Sequence, residues 1–190
     1  MIDEIITVIT HAIFFGTCVF VPLLFALHLF KLKLPMLDNS TIILTVNFTL
    51  LLGSSIFIAQ SIIDFPIRYY SGGEYEQYTF TNRMVGPYWF NFLMLAFNYA
   101  LLPQLFWIKR VRRSIISPMI VIVVRFIFVL AMLKVYVISP ILYLKIEFPL
   151  IYSLTQITIY LAIISAIYFI LSRRNELLLT RKSNPKQRDE

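Results

Sequence analysis

TIILTVNFTLLLGSSIFIAQSIIDF, residues 41–65, runs for twenty-five residues with a single charged side chain, Asp64, close to its end. At about 1.5 Å per residue a helix of this length exceeds the roughly 30 Å of bilayer hydrocarbon, where only helices and closed barrels satisfy their backbone. The stretch predicts a membrane-spanning helix. Outward from it, four more runs have the same character: 5–30, 87–108, 115–139 and 150–172. The composition agrees, with 59% hydrophobic and 14% charged residues and a mean hydropathy of +0.79, values foreign to soluble domains. The expected fold is an all-α membrane protein of five transmembrane helices, a four-helix up-down bundle plus one extra helix. Residues 1–172 form its single domain and 173–190 a basic cytoplasmic tail that frays after Leu179.

Asp3 and Glu4 stand where a signal peptide carries positive charge, so the first run reads as a mature helix. Pro22 within it leaves a re-entrant or surface-lying course open. With five spans the termini face opposite sides. Twelve lysines and arginines then fall on one side (Lys31, Lys33, the Lys109–Arg113 cluster and the C-terminal tail), against Arg68, Arg83 and Lys145 on the other. The positive-inside rule puts the twelve in the cytoplasm, with the N-terminus and the 66–86 loop outside a cell inner (plasma) membrane. The net charge of +7 is thereby explained by topology and anionic lipid, and no nucleic-acid partner is expected.

Polar groups inside the bilayer are costly, and each is a candidate site. Asn47, Ser54 and Ser61 recur at sevens on the second run, with Gln60 and Asp64 beyond, which predicts a stripe facing other helices. Asn91 and Asn98 share a face of the third. The fourth carries Arg125, about 15 Å deep by residue count, and Lys134 near the outer surface. The expected pairs are Asp64 with Lys134 and Asn98 with Arg125. Lys134 can equally snorkel to the interface and Asp64 cap a helix end, whereas Arg125 demands a partner or a polar cavity. His11 and His28 lie seventeen residues apart on one helix, on the order of 25 Å, and cannot ligate one haem together. With one cysteine, Cys18, neither a disulfide nor a cysteine-ligated iron–sulfur cluster is expected within the chain, and no metal site is expected.

Aromatic residues make up 16% of the chain, and many mark the membrane interfaces. The segment YYSGGEYEQYTFTNRMVGPYW, 69–89, adds Tyr75, Tyr78 and Phe80 outside, and such a loop can fold back over a flat apolar site.

From Ser54 to Arg113 the chain resembles the second half of the NrfD/PsrC-like membrane subunits of polysulfide-reductase-type enzymes, above all the quinol-oxidising membrane subunit of alternative complex III. The residues that carry the likeness are Asp64 at a helix end, then Tyr69, Tyr70, Ser71 and Gly72. They continue with Glu76, Phe80, Arg83, Gly86, Pro87 and Tyr88, and then Asn98, Pro103 to Trp107, Lys109, Arg112 and Arg113. Members of that family have eight or more helices in two bundles and an E-R-F signature on the fourth helix of the bundle. Here only Arg125 and Phe126 echo that signature, without its acid. The resemblance implies a quinone-linked respiratory complex. In it this chain supports a quinol site near the extracytoplasmic face and passes electrons to iron–sulfur or cytochrome subunits docked outside. Asp64 would accept the hydroxyl proton, Arg83 or Tyr88 would hold the head group, and Asn98, Arg125, Lys134 and Gln60 would support the site. The competing reading is a scaffold or assembly subunit without a quinone site of its own. A small transporter predicts an internal repeat or paired broken helices, and the sequence has neither.

Overall fold

A computed structural model describes residues 2–31, 38–70, 73–86, 89–137 and 150–183. Among these residues every regular element is helical. The first, α1 (Ile2–Leu29), passes through Pro22 without a break, and Lys31 in the left-handed region (φ 55°) ends it. Next comes α2 (Asn39–Tyr70), then α3 (Glu74–Met84) within the outer loop. An irregular helical run follows: α4 (Trp89–Ala96), a π segment (Phe97–Leu101), the single turn α5 (Leu102–Gln104) and a 3₁₀ turn (Leu105–Trp107). The basic turn α6 (Lys109–Arg112) leads to α7 (Ile116–Val137), and α8 (Leu150–Ser183) closes the described chain.

Three helices are long and apolar enough to cross a membrane: Glu4–Leu29, Asn39–Tyr70 and Tyr152–Arg174. They correspond to three of the predicted runs and pack against one another. The first helix is not a surface element. Ala12 and Ile13 are fully buried, and α1 touches α2, α7 and α8. Glycine sets how closely it approaches two of these neighbours. A Cβ on Gly16 would fall within the ring of Tyr160 on α8, and one on Gly53 of α2 would lie 2.6 Å from Ile13 Cγ2.

Two element ends differ from expectation. Pro66 was expected to close the second span, yet α2 continues to Tyr70, because proline removes one N–H without forcing the chain out of a helix that neighbours hold. Likewise α8 continues beyond Ser172 into the expected tail as far as Ser183.

The polar stripe on α2 faces other segments over most of its length. Asn47 is fully buried, and its amide donates to the carbonyls of Arg112 (2.8 Å) and Ser114 (3.2 Å), tying α2 to the basic turn. Ser54 donates to Ala100 O at 2.8 Å and accepts from Gln104 Nε2 at 2.9 Å. Ser61 turns back to Phe57 O in its own helix. Apolar packing fills the space between. One cluster holds Phe14, Leu50, Leu51, Leu102, Phe106 and Val121, and a second holds Val21, Ile42, Val46, Tyr160 and Ile164.

Candidate functional site

Three hollows adjoin one another: two along the seam between α2 and the irregular run, and a third between α1 and α7 that reaches this seam at Phe57, Leu95 and Tyr99. The outer one, about 640 Å³, is lined by Asp64, Arg68 and Phe65 of α2, Phe80 and Arg83 of α3, and Asn91 and Phe92 of α4. The middle one, about 420 Å³, shares Ser61, Phe65 and Phe92 with it. The inner one, about 760 Å³, shares Phe57 with the middle hollow and is walled by Phe14, Tyr99 and Arg125. Leu95 lines all three. Each volume lies in or near the roughly 300–1,000 Å³ range of small-molecule sites.

At the outer end, α2 carries Asp64 past the level where α3 folds back over it. Asp64 is 44% exposed and pairs with Arg68 one turn on, at 3.8 Å. The turn-to-turn geometry of a helix favours this pair. Arg83 comes to the same hollow from α3. Of the aromatic residues expected to fold back, Phe80 meets rings of α2, whereas Tyr75 and Tyr78 are exposed. Phe80 stands edge-on to Phe65 at 4.8 Å between centroids, and Phe65 stacks on Tyr69 at 6.3 Å. Gln77 Nε2 donates to Tyr69 O at 2.8 Å and fastens α3 to the end of α2.

The inner end is built around Arg125, which is 5% exposed. Its guanidinium lies against the rings of Phe14 and Tyr99, 4.3 and 4.8 Å from their centroids, which themselves meet edge to face at 4.7 Å. Its Nη2 donates to the backbone carbonyl of Asn98 at 3.4 Å. The local fold explains why that carbonyl is available. In the π segment Leu102 N–H bonds back to Phe97 O, so the next donor in that register would be residue 103, a proline. Asn98 O therefore has no donor from its own helix, and Arg125 supplies one. Among the described residues Nε and Nη1 of Arg125 have no oxygen or nitrogen partner, the Cys18 thiol stands beside the guanidinium, and no carboxylate lines the hollow.

The expected site residues are thus divided. Asp64 and Arg83 come together outside; Asn98 and Arg125 come together inside, through the main chain of Asn98 rather than its amide, which donates to Met94 O at 2.9 Å. Gln60 leaves the site and donates to Thr7 Oγ1 on α1 at 3.0 Å. Tyr88 and the side chain of Lys134 lie outside the described residues, and with them the proposed pairing of Asp64 to Lys134. His11 lines the inner hollow, whereas His28 sits at the far end of α1. No group of three metal-ligating side chains occurs among the described residues.

Sequence reasoning missed Phe14 and Tyr99. A signal existed, since a cation in an apolar helix calls for aromatic faces as well as polar partners, but nothing in the order of residues says which rings turn toward it. Set against protein families, characterised proteins and solved structures, the chain matches none.

Proposed function

We propose that this chain is a multi-pass membrane subunit of a quinone-linked oxidoreductase complex, with a quinol site in the outer hollow beneath α3. The observation that carries the reading is the meeting of Asp64, Arg83 and the rings of Phe65, Phe80 and Phe92 in one cleft that continues inward as an apolar groove. A quinol needs a flat apolar slot, a carboxylate that takes its hydroxyl proton as electrons leave, a donor for the other oxygen, and a channel for its tail. Asp64 is the proton acceptor in this scheme, and its partial exposure lets the proton pass to the outside. Arg83 holds the head group, with Arg68 offsetting the negative charge of Asp64. The two electrons leave one at a time for iron–sulfur or cytochrome subunits docked at the extracytoplasmic face, and the two hydroxyl protons leave in turn through Asp64, which releases the first to the outside before it accepts the second. Five spans, with 89–107 and 116–137 completing the set, and the N-terminus outside the plasma membrane belong to this proposal.

The test is purification in mild detergent with associated subunits, followed by quinone extraction and turnover measurement. Asp64→Asn is expected to lower quinol turnover by about two orders of magnitude, the usual scale for a proton acceptor, while leaving the complex assembled. Unchanged turnover and quinone content would favour the second reading, a scaffold subunit. The 44% exposure of Asp64 supports that alternative, since an exposed carboxylate is also an ordinary helix-end residue.

A further inference from the structure

Arg125 poses a separate electrostatic problem at the inner end of the groove. It stands in the interior of α7, nine residues past Ile116 or about 14 Å along the axis. A charge so placed costs several kcal/mol in lost hydration, whereas two ring contacts return about 1–2 kcal/mol each. The Asn98 carbonyl adds one long hydrogen bond. Among the described residues Nε and Nη1 have no oxygen or nitrogen partner, the Cys18 thiol is the side chain beside the guanidinium, and the hollow that Arg125 lines holds no acid.

Geometry narrows what can answer the charge. The rings of Phe14 and Tyr99 meet edge to face with centroids 4.7 Å apart, so both stand on one side of the guanidinium and a ligand approaches from the hollow that Arg125 lines. The remaining wall is almost wholly apolar: Phe15, Phe57, Leu95, Ile122, Val123 and Phe126. Leu95, Val123 and Phe126 are also exposed on the outside of the helices, where lipid would lie. A small inorganic anion would satisfy the cation and leave the rest of the hollow empty. A neutral apolar chain would fill the hollow and leave the cation unanswered.

We infer that the inner hollow binds a single-chain carboxylate amphiphile drawn from the bilayer, a long-chain fatty acid. The carboxylate meets the Arg125 guanidinium where it borders the hollow, and the chain runs along Phe57 and Leu95. The carboxylate end lies apart from the head-group cleft at Asp64, while Phe57 and Leu95 also line the middle hollow assigned above to the quinol tail; the fatty-acid site does not rest on the quinol reading.

The experiment is saturation binding of tritiated palmitate to the purified, immobilised protein in nonionic detergent, with competition by unlabelled palmitate, methyl palmitate and inorganic phosphate. Saturable binding is expected, with the methyl ester competing at least about tenfold more weakly, a loss of about 1.4 kcal/mol. Millimolar phosphate should not compete. Arg125→Met should weaken palmitate by about tenfold or more. Val123→Trp, which fills the rim without touching the guanidinium, should do the same in a protein that stays monodisperse. Asp64→Asn should leave palmitate binding unchanged, whatever it does to quinol turnover. Equal competition by the ester would make the hollow a plain apolar slot, and displacement by phosphate would make it a free-anion site. The inference is also overturned by absence of saturable binding to the wild type, or by undiminished binding to both Arg125→Met and Val123→Trp. Absence of binding would leave a carboxylate from a partner subunit as the answer to Arg125.

Discussion

A single carboxylate, Asp38, organises the start of the longest polar-striped helix. Its oxygens accept from Ser40 N–H (3.3 Å), Thr41 N–H (3.1 Å) and both side-chain hydroxyls (2.6 Å each), so it caps α2 on the orphan donors of the first turn. The Ser40 hydroxyl first, and the Thr41 hydroxyl next, hold its carboxyl below the usual 3.8. Because the folded value is depressed, the stabilisation is complete above the unfolded value and disappears as pH falls through the folded one. Thermal melts in detergent should therefore lose stability below about pH 4. Asp38→Asn, which keeps an acceptor but no charge, should flatten that acid limb; an unchanged limb would assign it to other carboxylates. Asp38 was readable as part of a loop from the sequence, and its capping role required only the D-x-S-T spacing to be noticed. Arg125 was readable as a problem, since a cation amid apolar residues stands out in any order of letters. Its solution was not, because Phe14 and Tyr99 come from elements 111 and 26 positions away (125 − 14 and 125 − 99).

Among the elements, the irregular run from Trp89 to Trp107 shows how a proline is accommodated inside an apolar helical segment. Pro103 deprives the preceding turn of a donor; the π segment, the hydroxyl of Ser54 on Ala100 O and the guanidinium of Arg125 on Asn98 O take up the freed carbonyls. The 87–108 run was legible as a helix from its hydropathy, but the π segment was not, since its register depends on donors from α2 and α7. Close packing of α1 is the second lesson at this scale. Gly16 sits against the Tyr160 ring, and the atoms in the way are Cβ and Cγ, which cannot swing aside. Gly16→Ala should cost about 1–3 kcal/mol of stability through forced separation of α1 and α8, despite alanine's higher helix propensity. Detergent melting temperatures of the variant check this. A gain in stability would mean that the two helices approach less closely than described.

For the whole molecule, the decisive measurement is sidedness. In a Cys18→Ser background, Glu76→Cys on α3 should react with an impermeant maleimide on intact cells, whereas Arg110→Cys on the basic turn should react only after permeabilisation. If both positions label alike, the run 89–107 does not cross the bilayer and the five-span arrangement fails. The amino-acid sequence by itself determined that the chain is helical and suited to lipid, because transfer free energy is a sum over consecutive residues and needs no knowledge of neighbours. It also located the costly polar groups, by the same sum. Only the tertiary structure decided which of them meet across elements: Asp64 with Arg83, Asn98 O with Arg125, and Gln60 with Thr7. Those meetings depend on the rotation and relative height of packed helices. A rotation of one residue, about 100°, swings a side chain off its shared face while leaving the summed hydropathy of the helix unchanged.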